Sequence, residues 1–282
     1  MKIAKPLVAA TDGSEESLRA VEWAAREAAL RGAPLRIVSA VQVPAMIGLQ
    51  VRPDRDFVAD LVHHERDQAF GAAAARAAEV APGLQVDTVP LTGPPAQAVT
   101  GSGSAALMLV LGARGTGAFG WMALGSVSRY AAAHASCPVM VIRGETAAVH
   151  RQVGIGIGDL DTCAGPLTFA FEEASLRKVS LMAIHALHMP AKPRALDLAA
   201  IKADAARQLA ELLDTWRNKY PDVPVSQDVV HGHPGPALTG LSAQTDLVVI
   251  GRHAVYPVPG PGSVRHAVLN YALGPVAVVP SS

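Results

Sequence analysis

Short apolar runs alternate along the whole chain with longer stretches in which apolar positions recur every three or four residues. The runs at 6–11, 35–43, 86–91 and 107–111 are bounded by Gly, Pro or Asp, the pattern of buried strands. From Ser14 the spacing becomes helical, with Leu18, Val21, Trp23, Ala24 and Ala28 on the buried face. Glu15 and Glu16 occupy the first turn of that helix and Arg31-Gly32 closes the last, as the helix dipole and the C-cap require. Pro44, Gly48 and Pro53 mark 44–54 as loop, and the Ala-rich stretch 57–80 predicts a long helix stopped by Pro82-Gly83. A short helix is expected over 95–102. The run at 107–111 ends at Gly112, a glycine-studded loop follows, and a helix is expected over 127–135 with Ser126 as its N-cap. The run 139–142 is a fifth strand.

The second half repeats this programme. Strands are expected at 153–157, 180–187, 225–230, 246–250 and 276–279, and helices at 167–177, 196–220, 237–243 and 264–271. The match extends to individual residues. TGPPAQAV from Thr92 parallels HGHPGPAL from His231, and LMLVLGAR from Leu107 parallels TDLVVIGR from Thr245. ALGSVSRYAAAHASCPVMVI from Ala123 parallels GPGSVRHAVLNYALGPVAVV from Gly260. The chain therefore reads as a duplicated domain, 1–146 and 147–282, with the boundary falling in 144–151. Alternating strands and helices predict an α/β fold with an open parallel sheet in each half, covered by helices on both faces. Right-handed crossovers bring the C-terminal strand ends to one edge, where such sheets bind ligands at the switch in strand order. The strands ending at Asp12 and at Gly112 are the natural pair to flank that crevice.

Composition narrows the function classes. Half of the residues are hydrophobic, 17% are charged, and the formal net charge is zero. Nucleic acid would call for a concentrated Lys/Arg face, which is not found. No window approaches 18 uninterrupted apolar residues, so no membrane span is expected, and the N-terminus has too short an apolar stretch for a signal peptide. Cys137 and Cys163 have neither metal-ligand nor disulfide spacing and read as buried thiols of a reducing cytoplasm. His231-x-His233 and His185-x-x-His188 lack a third ligand and read as loop or core histidines, and His63-His64 as solvated ones. No Gly-x-Ser-x-Gly elbow follows a strand, and no Gly-Lys-Ser/Thr closes either glycine loop. No catalytic residue is assigned, and rapid hydrolysis has no visible machinery.

The stretch 107–143 carries the chemistry. A strand, a loop with Gly112, Gly115, Gly117 and Gly120, and a helix beginning near Gly125-Ser126 together make an anion site out of backbone. Amide groups and the positive end of the helix dipole point at whatever occupies the loop. The phosphate chain of a nucleotide suits such a cradle.

Gly112-x2-Gly115-x9-Gly125-Ser126 resembles the ATP-binding signature of the universal stress protein family, and ATDGSEES from Ala10 resembles that family's first strand turning on Asp-Gly-Ser. The resemblance covers both halves. It implies five parallel strands per domain in the order 3-2-1-4-5, and ATP, accompanied by Mg2+, in the first half. It places Asp12 at the crevice near the adenosine, and Ala10 and Ala40 against the base or sugar. Gly112, Arg114, Gly115, Thr116 and Gly117 would wrap the ribose and triphosphate, while Gly125, Ser126, Val127 and Ser128 would offer amides and hydroxyls to the phosphates. It also implies dimers through the last strand, with the two halves forming a pseudo-dimer, and an unidentified regulatory protein partner.

The second half departs from the pattern. Gly158 stands where the first has Asp12, and Ala254 replaces the second glycine of the motif. The loop to Gly262 is two residues shorter, and Pro257, Pro259 and Pro261 remove three amide donors. Weak or absent ATP binding is expected there, with Gly251, Gly262 and Ser263 left as a residual or different anion site. The whole reads as a cytoplasmic, nucleotide-dependent stress regulator with at most slow ATP hydrolysis. The alternatives are a nucleotide-free scaffold for protein–protein interaction and an adenine-nucleotide hydrolase using the same crevice.

Overall fold

The structure is a computed structural model that describes residues 5–41, 55–115, 124–144, 146, 150–187, 195–252 and 263–281. It divides into two compact units, residues 1–142 and 143–282.

The first unit runs β1 (Leu7–Ala10), α1 (Glu15–Arg31), β2 (Leu35–Val41), α2 (Arg55–Val80), β3 (Val86–Thr92), α3 (Pro95–Ser102), β4 (Met108–Gly112), α4 (Ser126–His134) and β5 (Val139–Ile142). All its strand pairs are parallel, in the order β3-β2-β1-β4-β5. Helices α1 and α2 pack together, as do α3 and α4, and the two pairs cover opposite faces of the sheet. Both faces of β4 are therefore dry, and all five of its residues are buried. Leu7, Leu35, Ile37, Met108, Leu109 and Met140 form the fully buried centre.

The second unit runs β6 (Gln152–Ile157), α5 (Ala164–Arg177), β7 (Ser180–Leu187), α6 (Ala195–Lys219), β8 (Val225–His231), α7 (Pro234–Leu241), β9 (Leu247–Gly251), α8 (Val264–Tyr271) and β10 (Val276–Val279). Its strands are again parallel, in the matching order β8-β7-β6-β9-β10. Phe171, Ile155, Leu167, Leu181, Leu209 and Leu213 are its fully buried core.

Several expected bounds shift by a few residues, and three helix starts show why. The N-cap of α4 is Gly125, and Ser126 is the helix's first residue. Helix α7 starts at Pro234, three residues before the apolar pattern begins, because proline at the first helical position needs no amide partner and is already set at the helical φ. Helix α5 likewise starts early, at Ala164, with Cys163 as N-cap.

The duplication extends to a detail that composition does not advertise. EAALRG at the end of α1 and EASLRK at the end of α5 each hold a buried glutamate, Glu27 and Glu173, paired with an arginine four residues on, Arg31 and Arg177. Each helix then stops on a left-handed residue, Gly32 at φ 61° and Lys178 at φ 55°. Among the described residues no helix is long and apolar enough to cross a membrane.

Candidate functional site

The C-terminal ends of β1 and β4, the strands that flank the switch in strand order, open onto a cavity of about 470 Å³. That volume lies within the range of small-molecule sites. Ala10 and Asp12 reach it from the end of β1, Ala40 from β2, and Gly112, Arg114 and Gly115 from the end of β4. Gly125, Ser126, Val127 and Ser128 line it from the first turn of α4. The structure thus brings together every site residue expected in the first half that it describes; Thr116 and Gly117 lie outside the described residues.

The glycines of the loop sit against close neighbours. A Cβ on Gly112 would meet the backbone carbonyl oxygen of Glu16 at 2.8 Å, so the first turn of α1 can seat on the end of β4 only over a glycine. A Cβ on Gly115 would collide with Oδ2 of Asp12, so the loop backbone and that carboxylate share one space. The Gly125 amide donates to the Ala113 carbonyl at 2.7 Å, returning the chain to the strand end where α4 begins.

No side chain caps α4. The amides of its first turn have no carbonyl partner within the helix, and Ser126, Val127 and Ser128 line the cavity. The opposite holds at α1, where Ser14 Oγ accepts from the Ser17 amide, and the two helices meet the same crevice with different chemistry. Ser128 is buried, and its hydroxyl donates to the Gly112 carbonyl at 2.6 Å. Its proton holds α4 against β4, which leaves the amide as its donor toward the cavity.

The β1 side is a hydroxyl and carboxylate network. Thr11 and Ser17, both buried, share a 3.1 Å hydrogen bond, and the Asp12 amide donates to Ser17 Oγ at 3.3 Å. Asp12 Oδ1 accepts from the amide and the hydroxyl of Ser14 at 3.1 and 2.6 Å. Arg114 is exposed and stands 3.9 Å from Glu16. The opposite wall is apolar: Pro94, Pro95, Ala96 and Val99 of the α3 entry face Ala10, Ala40 and Leu111. Sequence reasoning did not assign these wall residues or Thr11 and Ser17, although the repeated TGPPAQAV segment contains the prolines. One wall of the cavity is therefore apolar, and the other carries hydroxyls, a carboxylate and the start of α4.

The residues present suit a nucleotide: an apolar slot, hydroxyls and a carboxylate beside it, and an uncapped helix start. Among the described residues no three His, Cys, Asp or Glu side chains group as a metal site. His185 Nδ1 lies 2.9 Å from the Ile157 carbonyl, and His188 lies outside the described residues. Burial pushes the thiols of Cys137 and Cys163 up to about 11, so both are protonated at neutral pH.

In the second unit, Leu7↔Met108 has its counterpart in Val153↔Leu247, which puts Gly156 at the place of Ala10 and Gly158 at that of Asp12. A Cβ on Gly156 would lie 2.5 Å from Leu238, the α7 residue equivalent to Val99. The leucine's methyls occupy the space above the strand that Ala10 and Val99 leave open in the first unit. Ser263, the counterpart of Ser126, caps α8 itself by accepting from the His266 amide at 3.2 Å. Gly251 ends β9, with Pro166 Cγ 3.4 Å from where its Cβ would be, and Gly262 lies outside the described residues.

These features define a parallel α/β domain of order 3-2-1-4-5, present in two copies, the first with a glycine-lined cavity at its switch point. The sequence model of the universal stress protein family matches residues 4–143 and again 150–280, and the chain belongs to that family. It is 35% identical over 299 residues to the universal stress protein Rv2005c of Mycobacterium tuberculosis, covering 98% of this chain and 97% of that one. A universal stress protein of Mycolicibacterium smegmatis is 33% identical over 284 residues, covering 97% and 96%. The crystal structure of a universal stress protein from Archaeoglobus fulgidus shares the fold, with a TM-score of 0.70 at 16% identity over 100% of this chain and 99% of that one.

Proposed function

We propose that the first unit binds ATP and that the chain works as a nucleotide-dependent regulator in the cytoplasm, with at most slow hydrolysis. One observation carries this reading: the first turn of α4, with no side-chain cap, lines a cavity whose wall at Gly112 is closed to any side chain by the backbone of Glu16. In this reading the amides of Ser126, Val127 and Ser128 receive the phosphates, helped by the positive end of α4. Ala10, Ala40 and Val99 enclose the base and sugar. Asp12 accepts from the ribose or assists a magnesium ion brought in with the phosphates. Its Oδ1 is already held by Ser14, which fixes the carboxylate rather than freeing it as a base toward water. That favours retention of ATP over turnover. Oligomerisation and a regulatory protein partner belong to the same proposal, with bound nucleotide ordering the glycine loop and biasing nearby contacts.

Mass spectrometry of what purified protein releases on denaturation tests it. ATP is expected near one per chain, and calorimetry with ATP and magnesium should return the same stoichiometry. Absence of nucleotide together with no heat of binding would sink the reading.

A further inference from the structure

Glu16 does not line the cavity of the first unit, yet two contacts tie it to that site. Its backbone carbonyl lies against Gly112, so the residue is anchored at the end of β4 where the crevice begins. Its carboxylate oxygen Oε1 stands 3.9 Å from Nη2 of Arg114. Among the described residues that line the cavity, Arg114 is the one cation and Asp12 the one carboxylate. The Cα of Arg114 lies 3.6 Å from the Cβ position of Gly125, the N-cap of α4, which puts the arginine beside the start of that helix. Arg114 therefore stands where the positive end of α4 attracts an anion, and its charge is shared with Glu16.

The same oxygen of Glu16 stands 3.9 Å from Nη2 of Arg19, one turn further along α1. Glu16 thus lies between two guanidinium groups, one on the cavity wall and one outside it. An anion that draws Arg114 away leaves the carboxylate with Arg19, so the exchange strands no charge. All three side chains are partly exposed, and ion pairs of that kind are weak enough to exchange partners. A guanidinium accepts phosphate in place of carboxylate with the same fork of donors.

We propose that Glu16 is a specificity-determining residue of the first unit: by pairing with Arg114 it competes with phosphate for the guanidinium and tempers the site's preference for nucleotide over nucleoside. The proposal rests on nucleotide binding in that unit and adds to it a residue outside the cavity that sets how much the phosphates contribute.

Calorimetry of the full chain with ATP and magnesium tests it, on the parent, Glu16→Gln, Arg114→Gln and the double variant. Glu16→Gln should tighten ATP binding about two- to fivefold, the span of an exposed ion pair, and leave adenosine binding unchanged. The gain should vanish in about 1 M salt, where exposed charges are screened over a few ångströms. Arg114→Gln should weaken ATP binding by a similar factor, and Glu16→Gln added to it should bring no gain. An acidic residue in the first turn favours α1, so Glu16→Gln should melt slightly lower than the parent while binding ATP more tightly. A purely structural residue would move both the same way. An ATP affinity unchanged or weakened in Glu16→Gln, or a gain that persists beside Arg114→Gln, would overturn the proposal. ATP bound by the parent with no gain in Glu16→Gln defeats this proposal alone, whereas ATP bound by none of the four defeats the reading on which it rests as well.

Discussion

Gly112 sits where β4 ends beneath the first turn of α1, and the neighbour its Cβ would meet is backbone. Backbone cannot swing aside, so Gly112→Ala should cost about 1–3 kcal/mol in urea unfolding, the usual range for overpacking. Gly101, inside α3 with nothing within 4 Å of its Cβ position, makes the control: Gly101→Ala should stabilise by about 0.5–1 kcal/mol. The thiols give a pH prediction. Both titrate near 11 in the folded chain against an ordinary value of 9.0, so the folded state holds its protons longer. Their contribution is complete below the unfolded value, and stability should fall as pH rises from about 9 toward 11. Native protein at pH 8 should react slowly with iodoacetamide and rapidly once unfolded. Gly112, Gly115 and Gly125 were legible in the sequence because loop spacing is one-dimensional. The Thr11–Ser17 bond and the tie from Ser128 to Gly112 were not, because they depend on how α1 and α4 seat on strand ends.

Elements were legible wherever apolar periodicity ran uninterrupted. The strands at 180–187 and 276–279 and the helices at 95–102 and 264–271 coincide with their expected spans. Starts were less legible, because a helix begins where backbone geometry changes rather than where apolar residues do. Pro234 opens α7 before any apolar face is needed, and Gly125 serves as the cap of α4 in place of a side-chain acceptor. Between the two units this cap is the telling difference: serine closes α8, and nothing closes α4. The helix ends offer another test. Lys178 holds the left-handed conformation that glycine holds at position 32 of the first unit. Lys178→Gly should therefore raise stability by about 1 kcal/mol, read as a shift in the urea midpoint at unchanged slope.

At the scale of the molecule, one fold occurs twice and the two crevices differ in what they present. The duplication was plain in the sequence because its longest matching segments fall on the loop and helix of each crevice. The divergence was legible only in part. Missing glycine and added proline pointed to a weakened cradle, in a loop that lies outside the described residues. The placement of Leu238 against Gly156 needed strand register and packing to find. In the proposed reading the first crevice holds ATP and the second is closed to adenine. Native mass spectrometry of the full chain with ATP and magnesium tests this most directly, comparing the parent with Gly115→Ala/Ser126→Ala. The account predicts one ATP per parent chain and none in the double variant. ATP absent from the parent, or retained unchanged in the double variant, would contradict it.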